Sequence, residues 1–126
     1  MKKIINTPNS PQPIGPYNQA ILKNNTLFIS GQIALDPKTM KLINDSIKEE
    51  TIQVMENLKN ILSEAKMNFS DVVKTSIFLS NMDNFNDVNN VYGSYLNSGE
   101  EPARETIAVN TLPMNVNVEI SMIAMK

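Results

Sequence analysis

Between residues 46 and 66 the side chains of Ile47, Thr51, Val54, Met55, Leu58, Ile61, Leu62 and Ala65 recur at three- and four-residue intervals. That period places them on one face of a helix. Ser46 followed by Glu49 resembles a capping box and marks the helix start. Lys48, Glu49, Glu50, Gln53, Glu56, Asn57, Lys59 and Asn60 fill the other positions, which predicts a helix lying on a sheet with a solvated outer side.

Elsewhere the dominant period is two. Ala20–Lys23 and Thr26–Ser30 flank Asn24-Asn25, residues that tolerate positive φ in a two-residue hairpin turn. Leu27, Ile29 and Ile33 share parity, with Gly31 between them; a glycine there marks either a bulge or a point where another group approaches the backbone. From Asp71 to Leu79, Val73, Thr75, Ile77 and Leu79 alternate with Val72, Lys74, Ser76 and Phe78, so both faces of this strand are expected to be partly buried. A shorter helix is predicted from about Asn84, with Phe85, Val88, Tyr92 and Tyr95 turned to the core and Asn97-Ser98-Gly99 as its stop. In the run Val116–Met125, Val116, Val118, Ile120, Met122 and Ala124 form one face, against Asn117, Glu119, Ser121, Ile123 and Met125.

The expected order is a hairpin, a long helix, a strand, a shorter helix and two final strands, an α+β arrangement with both helices on one sheet face. The mixed second face of the last strand suits packing against another subunit, so oligomerisation is expected. Residues 7–19, with four of the chain's seven prolines, cannot form a regular helix or central strand. They and residues 34–45 are the loops expected to carry function or contacts.

Composition narrows the chemistry. At 126 residues, 41% hydrophobic and 19% charged, the chain fits one globular domain, residues 1–126. A formal net charge of −2 and pI near 5.1 make nucleic acid an unlikely partner. No stretch approaches the roughly 18–20 apolar residues of a membrane span, and Met1-Lys2-Lys3-Ile4-Ile5 does not begin a secretory signal, so a cytoplasmic location is expected. With neither cysteine nor histidine, thiolate nucleophiles, the usual general base and the commonest zinc ligand are absent, and only four glycines leave no phosphate-binding loop.

The remaining candidates are Arg104, Glu119, Tyr17 and the surroundings of Gly31. Arg104, the sole arginine, follows Pro102-Ala103 at the start of a β-like stretch, where its planar fork would match a carboxylate. The other reading of such a residue is a surface or structural salt bridge, which is what most arginines form. Glu119 lies mid-strand opposite the aliphatic row, either as an exposed or ion-paired residue or as a partly buried base that orients water. Tyr17 either anchors the proline-rich loop or caps a pocket.

Gly15-Pro16-Tyr17-Asn18-Gln19-Ala20, Phe28-Ile29-Ser30-Gly31-Gln32-Ile33, Pro102-Ala103-Arg104 and Val118-Glu119-Ile120, in this order, resemble the RidA/YjgF family of reactive-intermediate deaminases over about residues 4–125. The resemblance implies a chorismate-mutase-like fold, a homotrimer with a central barrel-like core and ligand clefts between subunits. It implies cofactor-independent hydrolysis of enamine and imine acids such as 2-aminoacrylate to 2-oxo acids and ammonia. By motif, Arg104 matches the family's carboxylate-binding arginine and Glu119 the acid that activates water, while Tyr17, Gly31, Asn89 and Thr106 match the rest of the pocket lining. A carboxylate-binding or chaperone-like module without turnover is the alternative, and an endoribonuclease or translation inhibitor a more distant one. The chain departs from the family pattern at Asn18, at Met40, where a turn glycine is frequent, and at Glu105-Thr106 beside the implied site. If Arg104 and Glu105 are consecutive on a strand, they point to opposite faces.

Overall fold

A computed structural model describes residues 1–126. Its strands are β1 (Lys3–Ile5), β2 (Ala20–Lys23), β3 (Thr26–Gln32), β4 (Val72–Leu79), β5 (Ala103–Ala108) and β6 (Val118–Met125), and its helices α1 (Ile47–Glu64) and α2 (Phe85–Ser94). The strands form one mixed sheet in the order β1-β2-β3-β6-β4-β5, with β4 and β5 parallel and every other pair antiparallel. The α+β reading therefore holds. The sequence pattern did not predict β1, whose three residues are too few to display a period.

Local chemistry explains the elements that were foreseen. Asn24 and Asn25 take φ of 50° and 64° in the β2–β3 turn, and Ser46 caps α1 by accepting from the Glu49 amide at 3.1 Å. Met40 stands at φ 58°, in the left-handed region that favours glycine. α2 ends at Ser94, earlier than the Asn97-Ser98-Gly99 signal.

The core lies between the helices and one sheet face. Val54, Met55, Leu58, Ile61 and Leu62 of α1 and Val88 and Tyr92 of α2 pack with Leu27, Ile29, Ile77, Leu79, Val118, Ile120, Met122 and Ala124. Burying such aliphatic side chains contributes about 1.5–3 kcal/mol each. No helix is long and apolar enough to cross a membrane.

Three face assignments fail, two in strands and one in a helix. A register shift between Val72 and Lys74 puts Val72 in the core and leaves Val73 exposed, reversing their predicted faces. A second shift, between Ile29 and Gln32, takes Gly31 and Ile33 off the Leu27/Ile29 face; Ile33 instead joins Leu35, Leu112 and Val116 in a small separate cluster. Glu50 and Asn57, assigned to the solvated side of α1, are both 0% exposed. Asn57 donates through Nδ2 to the Ile33 and Leu35 carbonyls, so this polar residue ties α1 to the segment after β3.

Candidate active site

Glu119 projects from β6 on the face away from the helices, opposite Phe78 in the ladder. The β3 bulge brings Gly31 against it: a Cβ added at Gly31 would lie 2.8 Å from the Glu119 Cδ, closer than side-chain atoms pack. Both readings of Gly31 are thus correct, because the bulge itself delivers the close approach. Burial alone pushes the Glu119 carboxyl above the ordinary value, since no cation stands beside it to favour the charge.

The proline-rich loop walls this pocket. Ile14 and Tyr17 from the loop, Ser30 and Gly31 from β3, and Pro113 from the β5–β6 connection line it with Glu119. Tyr17 is 45% exposed, and its hydroxyl accepts from the Ile14 amide at 3.3 Å. Its ring lies 3.5 Å from the place a Gly15 Cβ would occupy. The phenol therefore both braces its own loop and borders the pocket.

Gln19 was not singled out by its sequence, yet it organises this wall. Buried at the start of β2, it accepts from the Thr7 amide and donates to the carbonyls of Thr7, Ser10 and Pro11. A segment rich in proline lacks amides with which to pair itself, so one side-chain amide supplies the bonds. A long polar residue directly before an apolar strand was the available signal.

Arg104 lies elsewhere. It pairs in register with the buried Thr75 and faces the helices, where its Nη1 donates to Asn89 Oδ1 at 2.7 Å. Its guanidinium carbon stands 5.2 Å from the Tyr92 ring centre and 5.6 Å from that of Phe85. Cation–π attraction and the amide hold the fork in place without neutralising it. Tyr92, whose hydroxyl donates to Thr75 Oγ1, is raised above its ordinary pKa chiefly by burial. Asn89, Tyr92, Gly93, Leu96, Glu101, Pro102 and Arg104 border an open pocket. Thr106, two residues along β5, carries a buried hydroxyl with no hydrogen-bond partner.

Glu105 points to the other face, paired with Lys74 at 2.7 Å and hydrogen-bonded to Ser76. The Lys74 contact, first, and that with Ser76 hold its carboxyl below the usual value. Arg104 accordingly keeps its charge free of Glu105, as strand alternation requires.

Of the residues singled out in the sequence, Tyr17, Gly31 and Glu119 come together on one face, and Arg104 and Asn89 on the other, with Thr106 on the same strand. A single chain does not join the two sets. No group of three or more acidic, histidine or cysteine side chains converges in a way that would hold a metal ion.

The family described as Endoribonuclease L-PSP matches residues 7–126. A RutC family protein of Pyrococcus horikoshii is 46% identical over 126 residues, covering 100% of this chain and 99% of the relative. The chloroplastic Reactive Intermediate Deaminase A of Arabidopsis thaliana is 40% identical over 123 residues, 98% of this chain and 65% of that protein. The crystal structure of Escherichia coli TdcF with bound serine superposes with a TM-score of 0.92 at 32% identity, covering 98% of both chains. The match to the family across all but the first six residues, together with a relative 46% identical along nearly its whole length, means that the chain belongs to the RidA/YjgF family, which includes reactive-intermediate deaminases.

Proposed function

We propose that the protein hydrolyses 2-imino and enamine acids of the 2-aminoacrylate/2-iminopropanoate class to 2-oxo acids and ammonia, in the cytoplasm and without a cofactor. The observation that carries this reading is the desolvated Glu119 carboxylate resting on Gly31 with no cation beside it. With its pKa raised by burial, it is a stronger base than a free carboxylate, which favours water activation. Arg104, its fork steadied by Asn89, receives the substrate carboxylate. The Thr106 hydroxyl, on the same strand as Arg104, has no hydrogen-bond partner within the chain, and Tyr17 closes the Glu119 side.

In the reaction the Glu119 carboxylate takes a proton from water as the water oxygen bonds to the imine carbon. The C=N pair moves to nitrogen, which gains a proton, and the resulting carbinolamine loses ammonia as its hydroxyl becomes the 2-oxo group. An imine is already electrophilic, so orientation and one proton relay suffice. The serine held by TdcF carries the same carboxylate-and-nitrogen pattern and supports this substrate class.

Because Arg104 and Glu119 occupy opposite faces of one sheet, the site is assigned to clefts between subunits of a homotrimer, Arg104 from one chain meeting Glu119 of the next. Phe28, Ile107 and Met125, about half exposed on the uncovered face or its edge, supply apolar surface for that assembly. The test is subunit mixing. Arg104→Ala and Glu119→Gln chains, each strongly impaired at limiting substrate in a dehydratase-coupled assay of 2-oxo acid release, are refolded together. Random trimers would regain about a quarter of wild-type activity, since one site in four draws both intact residues. Mixed trimers with no recovered activity would refute the shared site.

The family's description favours a second reading, RNA cleavage. It requires RNA hydrolysis that persists through repurification and disappears in Glu119→Gln.

A further inference from the structure

The mechanism leaves one buried carboxyl group unused. Glu50, in the first turn of α1, is 0% exposed, and its Oε2 accepts from the backbone amides of Asn117 at 2.8 Å and Val118 at 3.0 Å. Its Oε1 accepts from Asn117 Nδ2 at 3.0 Å. No Lys or Arg pairs with it, for the one ion pair of the chain is Lys74–Glu105. Amide dipoles and the N-terminal end of α1 therefore carry its compensation.

The place of those amides matters more than their number. Asn117 and Val118 immediately precede Glu119, and the last β3–β6 pair is Gln32–Ile120, so β3 has already parted from β6 at this point. Successive amides of an extended strand point to opposite edges, yet here both converge on one oxygen. The chain turns into β6 around Glu50. On the other side Asn117 is held by Ser80, whose amide donates to its carbonyl at 3.0 Å and whose hydroxyl donates to Oδ1 at 2.9 Å. Upstream, Met114 and Asn115 both take φ of 55°, directly after the pocket-lining Pro113. The segment between Pro113 and Glu119 is thus a strained connection whose exit is fixed from α1.

We infer that Glu50 is a positioning residue: by gripping the amides of Asn117 and Val118 it sets the orientation of Glu119 against Gly31. This rests on Glu119 acting as the base. Docking α1 on the sheet does not need a carboxylate, because Val54, Leu58 and Ile61 already bury that contact. Hydrogen-bond acceptors at that reach are what the turn into β6 requires. Reach and acceptor geometry, rather than charge, are therefore the property that counts.

The experiment compares Glu50→Gln, Glu50→Asp and Glu50→Leu in the assembled protein, with 2-iminopropanoate generated in situ by an amino-acid oxidase. Glu50→Gln keeps one acceptor at the same reach for the two backbone amides, and its NH2 group is accommodated by a turn of the Asn117 side-chain amide that presents Oδ1 to it and Nδ2 to the Ser80 hydroxyl, so kcat is expected to stay within about threefold of wild type. Glu50→Asp keeps the charge but falls a methylene short, and kcat is expected to drop about tenfold with KM within about twofold, because Arg104 still binds the carboxylate. Glu50→Leu, where it folds, is expected to lose as much or more. In a Glu119→Gln background, Glu50→Asp is expected to leave the residual rate unchanged, since a base that is absent cannot be misplaced. The inference is overturned if Glu50→Asp has wild-type kcat, if Glu50→Gln is the worse of the two, or if Glu50→Asp lowers the residual Glu119→Gln rate by the same factor as in wild type. Full activity of Glu119→Gln itself would instead overturn the underlying reading of the reaction.

Discussion

On the helix side of the sheet, Leu27, Ile77, Val118 and Ile120 are fully buried; on the other side Phe28 and Ile107 keep 48% and 47% of their surface open. Both faces are built from the same strands and share one alternation. They differ in cover, because α1 and α2 both pack on one side. A cross-strand row of Ile4, Ile21, Phe28 and Ile123 runs over the uncovered side. An aliphatic row of this kind in water marks a contact surface. The chemistry divides along the same line, with Arg104 under α2 and Glu119 on the open face. Separation of the two groups by the sheet itself is the geometric reason for proposing that each site draws on two chains.

The comparison breaks most visibly at Glu119. Glu119→Gln is expected to lower kcat by about 10²–10⁴ while KM changes little, whereas Arg104→Ala is expected to act mainly through KM; steady-state kinetics on both variants separates the faces by role. Next in size, Leu58→Ala on the covered side is expected to cost about 2–5 kcal/mol in denaturant titration. Phe28→Ala, already half open to solvent, is expected to cost far less in the separated chain. Phe28→Asp is expected to show its effect in sedimentation instead, by dissociating the proposed trimer.

The smaller effects sharpen the contrast. With its pKa raised by burial, Glu119 binds its proton more tightly folded than unfolded. Its contribution to stability is therefore present at acid pH and lost as pH rises through the raised value. Activity is expected to rise over the same interval as the carboxylate forms, and Glu119→Gln is expected to be the more stable protein at neutral pH, measurable as a higher melting temperature. Smallest of all, Lys74→Ala is expected to leave the melting temperature almost unmoved, since the Lys74–Glu105 pair lies in solvent.

What the residues reveal in advance follows from the range of the forces involved. The Asn24-Asn25 turn and the Ser46 cap depend on neighbours within a few positions, and both are readable. The alternation of β6 correctly separates Glu119 from Ile120. Parity fails where a single extra residue enters the ladder, at Ile29–Gln32 and Val72–Lys74; Gly31 signals the first bulge, whereas nothing in the hydrophobic pattern signals the second. Glu50 was misassigned for a related reason: its partners lie 67 and 68 positions away. The family motifs pointed to the residues of both proposed half-sites, but that Arg104 and Glu119 lie on opposite faces of the sheet emerges only from the register of β5 and β6 beside β4.

That order also governs how the chain is made. The hairpin of β2 and β3 can close early, and β4, α2 and β5 form a contiguous unit, yet the two lie apart in the sheet until β6 enters between them. During synthesis the open edges of β3 and β4 must wait for the last strand, exposed to any other extended segment nearby. The strand that bears Glu119 is thus the closing seam of the molecule, and a polypeptide halted before Val118 would carry two unsealed edges.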